Sequence, residues 1–202
     1  MAKIENVCVY CGSAPGEDPL FADEARRFGR ILATNDVRLV YGGGGIGLMG
    51  EVATATVLAG GAVTGIIPEF LQTREVRFTH DAEMIVVSDM HERKRLMFER
   101  ADAFVALPGG IGTLEELVEQ LTWAQLGQHC KPVLLANIAG FWDPFLELIA
   151  HMRATGFIRP QPPVHILTAD RVEDILPAIQ AAADVFSEKE LHDASVTLTH
   201  QM

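Results

Sequence analysis

Apolar positions along this chain fall into two alternating patterns. Short runs rich in β-branched residues, such as VCVY at 7–10 and FVALP at 104–108, are continuous. Between them lie longer segments with the apolar spacing of amphipathic helices. Continuous apolar runs are typical of strands that are covered on both faces. The pattern therefore predicts strands and helices in alternation.

The apolar runs predict seven strands and the periodic segments predict six helices. The predicted strands are Asn6–Tyr10, Arg38–Tyr41, Ala62–Ile67, Met84–Val87, Ala103–Leu107, Pro132–Ala136 and roughly Val164–Leu167. The predicted helices are Leu20–Ala33, Gly47–Ala59, Met90–Arg100, Leu114–Gly127, Pro144–Thr155 and Val172–Val185.

Alternation of strands and helices indicates βαβ units and a parallel sheet. We predict an α/β fold with a single doubly wound, Rossmann-like domain over residues 1–186, in which helices flank a mostly parallel sheet. The length of 202 residues suits one domain. A polar, irregular tail is expected over residues 187–202. Ligands of such a domain are expected at the carboxyl ends of the strands.

Charge and composition narrow the classes of partner. The net charge of −11 argues against a nucleic-acid partner, because phosphate neutralisation needs clustered Lys and Arg. No apolar stretch is long enough to span a bilayer, and the N-terminus lacks the features of a signal peptide. Three cysteines agree with a reducing compartment. We therefore expect a cytoplasmic protein with no membrane partner.

The helix predicted at 114–127 is apolar on more than one face. Its apolar residues are Leu114, Leu117, Val118, Leu121, Trp123 and Leu126. A helix that packs on the sheet and also on a second chain would have this pattern. The pattern predicts a homodimer.

Two glycine loops each follow a predicted strand and open a helix. In the first, residues 42–50, Gly45, Gly47 and Gly50 satisfy the G-x-G-x-x-G fingerprint of dinucleotide sites. That fingerprint normally follows the first strand of the fold, whereas this loop follows the second. A glycine-rich turn that serves close helix–strand packing is therefore the alternative interpretation.

The second glycine loop is PGGIGT at residues 108–113. It lacks the GK[ST] ending of a P-loop, which disfavours a triphosphate with Mg²⁺. Its backbone amides and the Thr113 hydroxyl can hold a monophosphate, and the dipole of the following helix adds to that attraction. Two such loops at one edge of the sheet predict a nucleotide pocket.

Charged residues beside the loops admit two interpretations each. Thr113 and Glu116 have the spacing of a capping box, or Glu116 is a catalytic carboxylate beside the phosphate. An anion there needs a nearby cation. Arg93 can provide it if the helix that begins at Met90 starts at the same edge; otherwise Arg93 belongs to a solvated basic face.

The sequence gives weaker signals for redox, metal or cofactor chemistry than for a nucleotide pocket. Cys8 and Cys11 form C-x-x-C, but Cys8 lies within a strand, which disfavours a redox pair. No second pair or histidine spacing indicates a metal site. Trp123 and Trp142 are expected in the core or an interface. No lysine lies in a recognisable pyridoxal phosphate signature, so we expect no cofactor.

Several of these motifs together match one known family. The segment 108–116 fits the pattern PGGxGTxxE, and residues 90–94 resemble its companion motif. CGS at 11–13, YGGG at 41–44, GLMG at 47–50 and TWAQLG at 122–127 follow the same order. The sequence resembles the LOG (Lonely Guy) family of cytokinin riboside 5′-monophosphate phosphoribohydrolases, members of which have been labelled lysine decarboxylases.

The resemblance implies hydrolysis of the N-glycosidic bond of a purine nucleoside 5′-monophosphate, which releases a base such as an N6-substituted adenine and ribose 5-phosphate. It also implies dimers or assemblies of dimers, with sites near the subunit interface. Arg93 and Glu116 carry over as the catalytic pair. The residues implied in substrate binding are Ser13, Gly43, Gly44, Lys94, Gly109, Gly110, Gly112 and Thr113.

The sequence departs from the family pattern at two places, and two other functions are alternatives to the hydrolase. Ile111 stands where many relatives have an aromatic residue, and the segment 68–82 differs from the plant pattern; both bear on preference for isopentenyl-AMP over AMP. The rivals are a noncatalytic nucleotide-binding or sensing protein and, from GIGLMG at 45–50, a nicotinamide-dependent oxidoreductase.

Overall fold

The computed structural model describes residues 3–72, 82–158 and 165–185. Its strands are β1 (Asn6–Tyr10), β2 (Arg38–Tyr41), β3 (Val63–Pro68), β4 (Glu83–Val87), β5 (Ala103–Ala106), β6 (Val133–Ala136) and β7 (Leu167–Ala169). Its helices are α1 (Pro19–Thr34), α2 (Gly47–Leu58), α3 (Met90–Glu99), α4 (Ile111–Gln125), α5 (Asp143–Ala154) and α6 (175–185). The predicted tail over 187–202 lies outside the described residues.

All seven strands pair in parallel in one sheet, in the order β4-β3-β2-β1-β5-β6-β7. One apolar core forms where α1, α2 and α6 pack on the sheet, and a second where α3, α4 and α5 pack on the other face. The predicted doubly wound α/β fold is confirmed. The division into a domain over 1–186 and a tail stays a prediction.

The central strands are covered on both faces, as their continuous apolar runs predicted. Val7, Cys8 and Val9 of β1 are at most 1% exposed. Strand β1 lies between β2 and β5, with α1 and α2 on one side and α4 on the other. Burial of apolar area of this kind is the main stabilising contribution to folding.

Three predicted starts, those of α4, β7 and α6, were wrong by three residues, and the other boundaries differ by at most two. Helix α4 begins at Ile111, three residues before Leu114, because Gly110 is its N-cap and the Leu114 amide bonds the Gly110 carbonyl at 3.0 Å. Strand β7 is Leu167–Ala169, since its pairing with β6 sets its register. Residues Val172–Asp174 form a 3₁₀ turn before α6. Val164 lies outside the described residues.

No helix within the described ranges combines the length and the apolar composition needed to cross a membrane. Helix α1 has a well-defined N-terminal cap. Pro19 opens α1, and the Asp18 carboxylate accepts a hydrogen bond from the Leu20 amide at 2.9 Å. An aspartate at the N-cap followed by proline is a strong helix start.

Helices α1 and α2 pack closely together at Gly29. A Cβ atom built on Gly29 would overlap the Val52 carbonyl oxygen and crowd the Thr56 hydroxyl. That carbonyl is held in place by the Thr56 hydroxyl, which donates to it at 2.8 Å. The contact therefore has no room for a methyl group.

We predict that Gly29→Ala lowers the free energy of unfolding by about 1–2 kcal/mol, because overpacking outweighs the gain in helix propensity. Urea denaturation measures it. Arg30→Ala, at the exposed neighbouring position of α1, is the control and should change stability by less than about 0.5 kcal/mol. A more stable Gly29→Ala variant would show that the two helices can separate at little cost.

Candidate active site

A cavity of about 200 Å³ opens at the carboxyl ends of β1, β2 and β5. Strand β1 pairs with β2 on one side and with β5 on the other. Strands β2 to β4 follow in one direction from β1 and strands β5 to β7 in the other, so the strand order reverses at β1. In open α/β sheets this reversal leaves a crevice in which ligands bind. The cavity therefore lies where the fold class places a ligand.

The N-terminus of α2, which follows the first glycine loop, is occupied by the chain itself. The Met49 amide donates to the Gly12 carbonyl at 3.3 Å. Gly47 has a φ of +60°, and a Cβ there would overlap the backbone of Ser13 and Ala14. The segment after β1 thus fills the space that a pyrophosphate would take in a dinucleotide site.

The predicted ligands Gly43 and Gly44 are buried and do not line the cavity. Gly43, with a φ of +78°, packs against Ile67 and Met84 on the β3 side of the loop. It is Gly42, which the sequence did not single out, that reaches the cavity. These packing contacts favour the alternative interpretation of the first glycine loop, while substrate binding by Gly43 and Gly44 stays a prediction.

The second glycine loop presents the N-terminus of α4 to the cavity. Gly110 is the N-cap, no side chain caps the helix, and Gly110, Gly112 and Thr113 line the cavity. A Cβ on Gly110 or Gly112 would meet nothing within 4 Å. Gly109 lies beside the Thr113 side chain and lines a neighbouring apolar cavity. An open helix N-terminus of this kind suits an anion.

The capping-box interpretation of Thr113 and Glu116 is wrong. Because α4 begins at Ile111, Thr113 is the third residue of the helix and not its N-cap. Both residues are buried, at 4% and 8% exposure, and both line the cavity.

Arg93 and Glu116 form a buried ion pair in the wall of the cavity. The Arg93 Nη2 atom lies 3.7 Å from Glu116 Oε1, and Arg93 is 6% exposed. Gly42 leaves the space for the guanidinium, since a Cβ there would overlap Nη2. Arg93 Nε is buried and has no hydrogen-bond partner in the described part of the chain. The pair can therefore offer a donor and a carboxylate to one ligand.

Burial and the negative charge of Glu116 act on neighbouring groups of β1. Burial first, and then Glu116, raises the pKa of the Cys11 thiol, which lines the cavity. Burial likewise raises the pKa of Cys8 and of Tyr10, to which Glu116 also contributes. All three groups stay protonated at neutral pH, so Cys11 lines the cavity as a neutral thiol and lacks the thiolate that a nucleophile needs.

Ser13 lies at the cavity, whereas Lys94 lies outside its lining. Ser13 is exposed and lines the cavity. Lys94 is not among the lining residues; its Nζ lies 2.5 Å from Glu115 Oε1 and 3.0 Å from Glu119 Oε1. The structure thus brings together Arg93, Glu116 and the second loop, and turns Lys94 toward α4.

Sequence reasoning missed several lining residues: Gly12, Gly42, Met49, Met90 and Glu115. Met90 could have been found, because it lies one helical turn before Arg93 and its sulfur contacts Arg93 Nη1 at 3.7 Å. Gly42 could not, since its role depends on a helix from elsewhere in the chain. No group of His, Cys, Asp and Glu side chains suited to a metal ion occurs among residues 3–72, 82–158 and 165–185.

Known proteins resemble this chain over most of its length. A family model described as "Possible lysine decarboxylase" matches residues 49–179. The rice (Oryza sativa subsp. japonica) protein named cytokinin riboside 5′-monophosphate phosphoribohydrolase LOG is 47% identical over 175 residues, which cover 87% of this chain and 72% of the rice protein. The Arabidopsis thaliana protein of the same activity name, LOG5, is 43% identical over 180 residues, 89% and 79% of the two chains.

Solved structures share the fold. The X-ray structure of TM1055 superposes with a TM-score of 0.70 at 25% identity, over 88% of this chain and 99% of that one. The Moco Carrier Protein from Chlamydomonas reinhardtii has a TM-score of 0.68 at 19% identity, over 89% and 98% of the chains. These structures show the shared fold, while the family model and the two plant relatives show that the chain belongs to the LOG family.

Proposed function

We propose that this chain hydrolyses the N-glycosidic bond of adenosine 5′-monophosphates, including N6-substituted ones, and releases the free base and ribose 5-phosphate. The observation that carries the proposal is the buried pair of Arg93 and Glu116 beside the open N-terminus of α4, in one cavity. The names of the rice and Arabidopsis relatives supply the substrate class.

The 5′-phosphate is assigned to the N-terminus of α4. Gly110 and Gly112 present bare backbone there, and Thr113 adds a hydroxyl. Backbone amides and the helix dipole favour an anion, and hydrogen bonds to a phosphate are charge-assisted. Arg93 lies in the same cavity and contributes positive charge.

Glu116 is assigned to the bond that breaks. When the C1′–N bond cleaves, its electron pair leaves with the base, which takes up a proton, and positive charge develops on the ribose ring. The Glu116 carboxylate can stabilise that charge and orient the water whose oxygen adds to C1′. Arg93 keeps Glu116 ionised and in place, because an isolated buried carboxylate would otherwise favour its protonated form.

The amino-acid decarboxylase implied by the description of the family model has no support in the cavity. Such chemistry uses an electron sink such as pyridoxal phosphate held by a lysine. No lysine is among the residues that line the cavity in the described ranges. Lys94 is paired with two glutamates, and Lys131 donates to the Phe98 carbonyl at 2.7 Å.

The two rival functions make different demands. A nicotinamide-dependent oxidoreductase would need the α2 N-terminus, which Gly12 and Ser13 cover. A noncatalytic nucleotide-binding protein would need no buried Arg–Glu pair, which is costly to maintain in the core. The arrangement of α2 and the ion pair favours the hydrolase over both.

We also propose that the chain is a homodimer through the outer face of α4. Val118 and Leu126 of the predicted apolar set are 42% and 67% exposed, whereas Leu117 and Leu121 are buried in the core. An open cavity of about 540 Å³ runs along this face and shares Ile111 and Glu115 with the site. The inner cavity alone is smaller than the roughly 300–1000 Å³ of most ligand sites, so a partner chain would complete it.

We predict that Glu116→Gln lowers kcat on AMP and isopentenyl-AMP at least about 100-fold, because the amide can neither stabilise the ribosyl cation nor orient water as a base. Chromatography of free base and ribose 5-phosphate measures it. Glu147→Gln, on the exposed surface of α5, is the matched control and should act like the parent. Binding of both nucleotides without turnover by the parent would support the noncatalytic rival.

Gly42→Ala is expected to lower kcat about tenfold or more, because the methyl group displaces the Arg93 guanidinium from Glu116. Steady-state kinetics measures it. The combined variant Gly42→Ala with Arg93→Ala should be no slower than Arg93→Ala alone, since Gly42 acts only through Arg93. A further loss in the combined variant would mean that Gly42 has a separate role.

Sedimentation equilibrium tests the dimer. The parent should sediment as two 22.0 kDa chains, and Val118→Asp as one, because a charge on an apolar contact is costly to bury. Leu148→Asp, at an exposed apolar position of α5, is the control and should leave the mass unchanged. A monomeric parent would exclude the interface.

A further inference from the structure

Lys94 connects helices α3 and α4 directly beside the ion pair of the site. Its side chain is only 12% exposed, and its Nζ atom lies within 2.5 Å of Glu115 Oε1 and 3.0 Å of Glu119 Oε1. Lys94 follows Arg93 in α3, and the two glutamates flank Glu116 in α4. One ammonium group therefore links the two backbone segments that carry the site's opposite charges.

The glutamates make a concentrated negative region on α4. Glu115, Glu116 and Glu119 lie within about one helical turn, and Glu119 Oε2 is buried without a hydrogen-bond partner in the described ranges. Carboxylates this close repel one another unless cations lie between them. Arg93 faces Glu116 at 3.7 Å, while Lys94 faces the other two.

We propose that Lys94 is a positioning residue, which through Glu115 and Glu119 holds α3 against α4 and so sets the separation of Arg93 and Glu116. This role rests on the proposed hydrolase function. It differs from direct contact with substrate: Lys94 does not line the cavity, and its ammonium group already serves two carboxylates.

The charge of Lys94 persists at neutral pH. Burial by itself would lower the Lys94 pKa, but the hydrogen bonds to Glu115 and Glu119 outweigh burial and raise it. Among the described residues, the titratable groups that face Glu116 include Arg93 of α3, Cys8 and Tyr10 of β1, Cys11 after it, and Glu115 and Glu119 of α4. The cysteines and the tyrosine are neutral, and Arg93 and Lys94 are cations that pair with the three carboxylates in the described part of the chain.

The test uses Lys94→Met, which keeps the length of the side chain and removes its charge. With Lys94 absent, Glu115 and Glu119 are no longer neutralised, so the pKa of Glu116 rises. As the pH is lowered, activity that needs an ionised Glu116 is then lost at a higher pH than in the parent. We expect the acidic limb of the kcat–pH profile to move up by about 0.5–1 unit, and kcat to fall about tenfold with KM changed less than about twofold.

Three further variants make the test specific. Lys94→Arg should restore kcat to within about threefold of the parent, because it keeps the charge. Glu119→Gln in the Lys94→Met background should move the acidic limb back toward its parent position. Arg95→Met removes a charge from the exposed face of α3, where Arg95 pairs with Glu99 at 2.9 Å, and should leave the profile unchanged.

A rise in KM with an unshifted profile would overturn the proposal in favour of substrate contact. An equal shift in Arg95→Met would overturn it in favour of a general charge effect. If the parent cleaves neither AMP nor isopentenyl-AMP, the proposed function fails, and urea denaturation still tests the contact between helices. The loss of stability in Lys94→Met/Glu119→Gln should then be smaller than the summed losses of the single variants, and additive losses would overturn the contact.

Discussion

The buried ion pair of Arg93 and Glu116 is the constraint on which the rest of the site depends. Either charge alone would be strongly destabilising at this depth, so the two helices that carry them must stay together. Helix α3 connects the edge strand β4 to β5 across the sheet face, and its Arg93 guanidinium lies against Gly42, the residue that follows β2. Gly42 then has to be bare, because the guanidinium occupies the place of a side chain.

The two glycine loops look alike in sequence and serve different purposes. In the first, the absence of side chains lets the segment after β1 lie against the start of α2, so its glycines are used within the fold. In the second, Gly110 and Gly112 face open space at an uncapped helix N-terminus. A glycine is required in both cases because backbone approaches backbone in one and, as proposed, a phosphate in the other.

Helix α4 combines the functions that the proposed enzyme needs. Its first turn lines the cavity where the phosphate is proposed to bind, its inner side carries Glu116, and its outer side exposes Val118 and Leu126. Glu115 lines both the inner cavity and the open one along the outer face. In the proposed dimer, one helix would therefore serve both assembly and catalysis. The surface residues of α4 would then help to determine which substrate is bound.

The sequence by itself determined the fold class and the motifs, because both depend on local patterns. Apolar periodicity separated strands from helices, and PGGIGT at 108–113 marked a strand–helix junction with room for an anion. The starts of α4 and β7 were misplaced, since glycine is a poor helix former and an edge strand takes its register from its neighbour. Tertiary structure alone decided that β1 lies at the reversal of strand order, that Ser13 covers the start of α2, and that Gly42 makes room for Arg93. These contacts join residues far apart in the chain, and their geometry comes from helix crossings and sheet order that no local pattern encodes.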